Sequence, residues 1–243
     1  MNSFYESSAH YQKISNFVKQ NYVKSKMAIF YTKGEERANS ITHGVGILLG
    51  LTVCVLFLVY AYSKGNTWAE IGIWLYGAGM LGSYICSTLY HAWPMRSKWR
   101  EKLRKWDHAA IYWHIAGSYS PITLLALREQ GYWGWSLFIF IWLCAIVGTV
   151  MSFCKLKDHS NLETICYVLM GLTVLVAFKP LIDSVSPEAV IWIIAEGVSY
   201  ITGALFYTLH KKKYMHTVFH VFVLGGSVCH ILAVWDMLKE YLQ

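Results

Sequence analysis

His216 and His220 are separated by four positions, which puts both imidazoles on one face of a helix, one turn apart. That is the arrangement a bidentate metal claw requires. One more ligand completes a site of the catalytic kind, and His91 is the candidate. Three neutral imidazoles at about 2.0 to 2.1 Å hold zinc and leave a fourth tetrahedral position for water. Asp107 is then the carboxylate that accepts or directs the proton of that water, whose pKa the metal lowers toward about 7. Ser87 lies one turn before His91 on the same face, where its hydroxyl can hydrogen-bond the water or a substrate carbonyl. Taken singly, each histidine reads more often as a packed or snorkelling side chain than as a ligand. The pair also lacks the glutamate that follows the first histidine in the soluble zinc peptidases, so that chemistry does not transfer.

These residues lie more than a hundred positions apart, and only the elements that carry them can bring them to one level. With 56% apolar residues and 14% charged, the 243-residue chain falls well outside the soluble norm of roughly half apolar and about a quarter charged. The charges sit in short segments between long apolar runs, as in a protein of many membrane spans. Seven runs reach the roughly 20 residues that cross a hydrocarbon core of about 30 Å. They cover residues 41–62, 69–91, 107–127, 133–153, 162–182, 188–209 and 216–238. Runs that are apolar all round and joined by short polar loops predict an all-α bundle of seven transmembrane helices, not a β-barrel.

Lysines and arginines set the predicted orientation, because they accumulate on the cytoplasmic side. One set comprises six in the first forty residues, six between Arg96 and Lys105, Lys155 and Lys157, and lysines 211–213. The other side receives only Lys64, Arg128, Lys179 and Lys239. This predicts a cytoplasmic N-terminus and an outer C-terminus. His91 then ends the second span, Asp107 opens the third, and His216 and His220 open the seventh, all on the cytoplasmic side. Ionisable groups at such positions usually mark a site or a pathway.

Residues 1–37 form a basic tail ahead of a membrane domain at 38–243, with no continuous apolar core of the kind a cleaved signal peptide carries. Within the tail, residues 11–31 carry Ile14, Phe17, Val18 and Tyr22 on one side among lysines, so this stretch is read either as interfacial on the anionic inner leaflet or as a solvated tail. The six cysteines all fall within or at the ends of apolar runs without a Cys-x-x-Cys pair, and read as small apolar residues. Gly46 and Gly50 form a small-xxx-small pair that permits close helix approach. Deeper polar groups are His114, Glu196 and His230. By rise along their helices Glu196 and His230 share a level near mid-membrane, where an interhelical hydrogen bond is the default reading. His43 either lines the mouth of a cavity or packs.

Residues 35–44 (EERANSITHG) resemble the opening signature of the hemolysin III proteins, the bacterial branch of the progestin and adipoQ receptor family. Residues 87–91 (STLYH) are similar to the family's second-span motif, and residues 107–112 (DHAAIY) with 116–121 (AGSYSP) to its third. Residues 216–220 (HTVFH) and 226–230 (GSVCH) look like its last. The resemblance runs from Glu35 to the C-terminus. It implies seven helices with the N-terminus inside and a zinc ion on His91, His216 and His220, with Ser87 and Asp107 at the neighbouring polar positions. In the adiponectin-receptor branch and the similar alkaline ceramidases it implies hydrolysis of a lipid amide by zinc-activated water. For the bacterial branch it implies a hemolytic, pore-like activity or a role in membrane lipid homeostasis.

Two classes of function follow. One is a zinc-dependent hydrolase of a lipid amide or ester, which needs a cavity open to the bilayer. The other is a pore, receptor or regulator in which zinc only clamps the second span to the seventh. A metal transporter fits less well, because the polar groups concentrate at one end. Membrane lipids are the expected partners and nucleic acid is not. The expected location is a bacterial inner membrane.

Overall fold

The computed structural model describes residues 31–154, 162–209 and 212–243. Seven helical segments and no strand make up these residues. They are α1 (Lys33–Lys64), α2 (Thr67–Ala92), α3 (Lys98–Pro121), α4 (Trp133–Phe153), α5 (Leu162–Ile182), α6 (Pro187–Thr208) and α7 (Met215–Tyr241). The expected span at 133–153 coincides with α4, and that at 162–182 covers the described residues of α5, which begin at Leu162. Apart from Tyr31, the interfacial stretch expected at 11–31 lies outside the described residues.

Five of the seven, α1 and α4 to α7, are long and apolar enough to cross a membrane. The other two expected spans, α2 and α3, are interior helices and carry a different composition. Along α2, Gly72, Tyr76, Gly79, Ser83, Ser87 and His91 are all buried. A helix that faces protein need not be greasy all round, and small residues let backbones approach. The closest approach joins α2 to α3, where a Cβ on Gly79 would lie 2.3 Å from the Trp113 carbonyl oxygen and one on Gly117 2.8 Å from that of Leu75. The pair at Gly46 and Gly50 does the same for α1, which seats the Tyr84 ring and Met80 of α2 against its backbone.

Helix ends follow local chemistry. Thr32 and Glu35 form a capping box that starts α1 eight residues before the expected apolar run. Ser97 caps α3, so Asp107 lies about two and a half turns inside that helix instead of at its start. Pro121 ends regular α-helix in α3, and a π-type turn, Ile122–Ala126, follows. Within α5, residues Leu172–Ala177 tighten into 3-10 geometry. The Tyr119 hydroxyl meets this irregularity, 2.6 Å from the Gly171 carbonyl oxygen and 2.8 Å from the Val174 backbone N–H. Such partners are what a broken ladder in hydrocarbon requires.

Candidate metal centre and cavity

The first turn of α1 organises the site. Glu36 accepts a hydrogen bond from His91 Nδ1 on α2 at 2.7 Å and pairs with the Arg100 guanidinium on α3. Arg100 also donates to the carbonyl oxygens of Tyr90 and Trp93, at 3.1 and 2.7 Å, which closes the end of α2 beside His91. Glu35 accepts from the backbone N–H of Tyr214 at 2.8 Å. Tyr214 immediately precedes α7 and has φ of 61°, a left-handed conformation that is costly for a bulky residue and needs such external support. The same acidic turn therefore fixes the ligand on α2 and the start of the helix that carries the other two.

One turn further along α1, Asn39 Oδ1 accepts from the Thr217 hydroxyl at 2.5 Å. His220 Nδ1 lies 3.2 Å from both the Asn39 carbonyl oxygen and Thr42 Oγ1. These bonds assign the tautomers, with Nδ1 carrying the proton in His91 and in His220. Each then offers a bare lone pair at Nε2.

Both lone pairs face His216 Nε2, at 3.2 Å from His91 and 3.0 Å from His220. All three side chains are buried. One N–H on His216 can satisfy only one of the two acceptors, and the other would stay bare in a dry site. A cation satisfies all three. Imidazoles at about 2.0 to 2.1 Å from a tetrahedral zinc stand roughly 3.3 Å apart, close to the separations seen. The donor set therefore fits a metal ion, as the cluster of buried ligand atoms indicates. Over this cluster, the Tyr31 ring lies 4.9 Å from that of His216. Burial pushes the Tyr31 phenol well above its usual pKa, so it remains protonated.

A cavity of about 380 Å³ adjoins the cluster, and His216 and His220 reach it together with Ser87 and Asp107. Of the five residues expected from sequence, four thus line one cavity, and His91 adjoins it through its contact with His216. Leu175 of α5 and Val198 and Ile201 of α6 line the same cavity while being 58%, 60% and 39% exposed. A wall that faces both inside and outside marks an opening, and it lies on two of the helices long and apolar enough to cross a membrane. The two helices beside it are the least buried of the apolar five, each with 17% of its most apolar window enclosed.

The chain aligns over residues 31–231 with the sequence profile of a family described as haemolysin-III related. It belongs to the haemolysin-III-related family. It is 35% identical over 200 residues to "Hemolysin-3" of Bacillus cereus, covering 82% of this chain and 90% of that protein. It is 35% identical over 204 residues to "Hemolysin-3 homolog" of Bacillus subtilis (strain 168), covering 84% and 94%. Identity to the human "Monocyte to macrophage differentiation factor" is 27% over 213 residues, covering 84% of each chain. The haemolysin-III match includes every residue of the buried histidine cluster and of the α1 turn that supports it.

Sequence reasoning left several residues of this haemolysin-III centre without a role. Glu36, Asn39, Thr42 and Arg100 were seen only within a signature or a charge count. Glu36, Asn39 and His43 recur at helical spacing on one face, and that was the available signal. His43 resolves into both of its readings: its ring stacks on His220 at 3.6 Å and it also borders the cavity. His108 pairs with Glu163 at 2.6 Å, and Ser152 donates to the same carboxylate at 2.8 Å, tying α3, α4 and α5 together. The expected bond between Glu196 and His230 is present at 2.8 Å.

Proposed function

We propose that this chain is a zinc-dependent hydrolase of a lipid amide or ester, acting in membrane lipid homeostasis. In this reading all seven helices cross a bacterial inner membrane, with the N-terminus inside and the C-terminus outside. The observation that carries it is the convergence of three imidazole Nε2 atoms at one end of a cavity that opens sideways between α5 and α6. Bound there by His91, His216 and His220, zinc would supply Lewis acidity and activate water near neutral pH. The Asp107 carboxylate takes a proton from the attacking water and returns it to the leaving amine or alcohol. The Ser87 hydroxyl donates to the substrate carbonyl oxygen. The Glu36–Arg100 pair holds His91 in its liganding tautomer. The apolar walls take the acyl chain, which enters from the bilayer and keeps bulk water away from the reacting bond.

A second reading has an observation of its own. The three imidazoles come from α2 and α7, so a metal there would also clamp those two helices together, as in a pore or regulator with a structural ion. The names of the Bacillus relatives point toward cytolysis in those proteins. Metal analysis of the purified protein and of H91A, H216A and H220A, combined with lipid profiles of cells with and without the wild-type chain, separates the two. The hydrolase reading expects bound zinc in the wild type alone and a released fatty acid or amine that depends on it. Bound zinc with unchanged lipids would overturn that reading in favour of the clamp.

A further inference from the structure

At the end of the cavity away from the metal cluster lies a second polar group. His230 Nδ1 on α7 is 2.8 Å from Glu196 Oε2 on α6, and the His230 side chain is 1% exposed. Glu196, His230, and His114 from α3 all line the cavity. Nε2 of His230 and Nε2 of His114 are both buried without a hydrogen-bond partner among the described residues. The hydroxyls of Tyr84 and Tyr200 bond Ser227 Oγ instead, at 2.7 and 3.2 Å, and that of Tyr76, whose ring lies 4.9 Å from that of His230, is itself without a partner among the described residues. Two bare ring nitrogens in a mostly apolar chamber are costly unless something in the chamber bonds them.

The state of the pair decides what that something must be. If Glu196 is ionised and His230 neutral, Nδ1 donates to the carboxylate and Nε2 is an acceptor; if His230 is protonated, Nε2 is a donor. A hydroxyl satisfies either, since it donates and accepts, whereas a carboxylate or an ammonium satisfies one at most. Distance then fixes where the hydroxyl sits on a ligand. His230 is ten residues beyond His220 on the same helix, about 15 Å along its axis. At roughly 1.25 Å per extended methylene, from a C–C bond of about 1.5 Å, that is about a dozen carbons.

We propose that the inner end of the cavity is a recognition subsite for a hydroxyl carried in mid-chain by a long-chain acyl ligand, with the Glu196–His230 pair as its anchor and His114 as a second contact. This rests on reading the cavity as a lipid site, but not on turnover or on the metal. The ligand lies with its carbonyl toward His216 and His220 and its chain along the apolar wall, and the hydroxyl replaces water at His230 Nε2.

The test compares binding of two probes, octadecanoic acid and 12-hydroxyoctadecanoic acid, to the purified protein by calorimetry in detergent. 2-Hydroxyoctadecanoic acid controls for the hydroxyl itself. One well-made hydrogen bond predicts that the 12-hydroxy acid binds roughly tenfold tighter than the unsubstituted acid, and that the 2-hydroxy acid gains nothing comparable. H230F should remove the advantage, bringing the 12-hydroxy acid and octadecanoic acid to equal affinity. Because the comparison between probes is made on the wild type, it does not depend on a variant folding. Equal affinities for the three acids, or an equal gain from the 2-hydroxy isomer, would overturn the proposal and leave the inner end a water site. The advantage should persist in H216A. No binding of any chain would instead count against the lipid-site reading on which this one stands.

Discussion

The two ends of the cavity use the same residue type to opposite effect. At the outer end, His91 and His220 have Nδ1 committed to partners from α1, and their Nε2 atoms aim at one point. At the inner end, His230 has Nδ1 committed to Glu196, but its Nε2 and that of His114 have no partner among the described residues. Three converging lone pairs call for a cation, and isolated ones call for a neutral hydrogen-bonding group. What distinguishes them is the number of imidazoles at the meeting point and the supporting turn of α1, not the chemistry of the ring.

Removing an outer imidazole should break this contrast most severely. H216A is expected to purify with metal at background by elemental analysis, while H230A retains the wild-type content. Equal metal loss in both variants would erase the distinction between the ends. Next in size is Asp107→Asn, which should keep the metal yet lower turnover of a lipid amide by roughly 10²- to 10⁴-fold, as loss of a general base does. Unchanged turnover with metal retained would remove Asp107 from the chemistry.

Glu36→Gln sharpens the comparison by weakening the support without touching a ligand. Competition with a chelator of known affinity should report metal binding about 10- to 100-fold weaker. The smallest expected effect is that of Thr42→Val, which removes one of two acceptors at His220 Nδ1 and leaves the Asn39 carbonyl in place. A fall in metal affinity of a few-fold in the same assay is expected, corresponding to about 1 kcal/mol or less. A loss as large as that of the glutamine variant would show that Thr42, not Asn39, orients the ring.

How much of this was legible depended on whether the signal was local. α4 is free of charged residues, and the apolar run at 133–153 matches both of its ends. The His216–His220 pair is a helical spacing and needed no structure to be noticed. Joining His91 to that pair relied on span ends meeting one interface, and the helices do bring them together. The wiring behind the ligands was not legible, because Glu36 and Arg100 resemble ordinary solvated charges until α1, α2 and α3 are packed. α2 and α3 carry glycines, tyrosines and histidines that face neighbours, and only the other five of the seven segments meet an apolar criterion on their own. Asp107 opens the apolar run of the third span, whereas the helix itself begins at the cap on Ser97.

The phenol of Tyr119 has a consequence for how a lipid could reach the interior at all. A gap between two helices normally exposes either an unbroken greasy wall, which admits no polar head, or a ruptured backbone, which hydrocarbon does not tolerate. By lending one hydroxyl to the carbonyl of Gly171 and the N–H of Val174, α3 lets α5 change its winding beside the opening with its amides sheathed. Tyr119→Phe would strip the cover from those two backbone groups while leaving every residue of the histidine cluster in place.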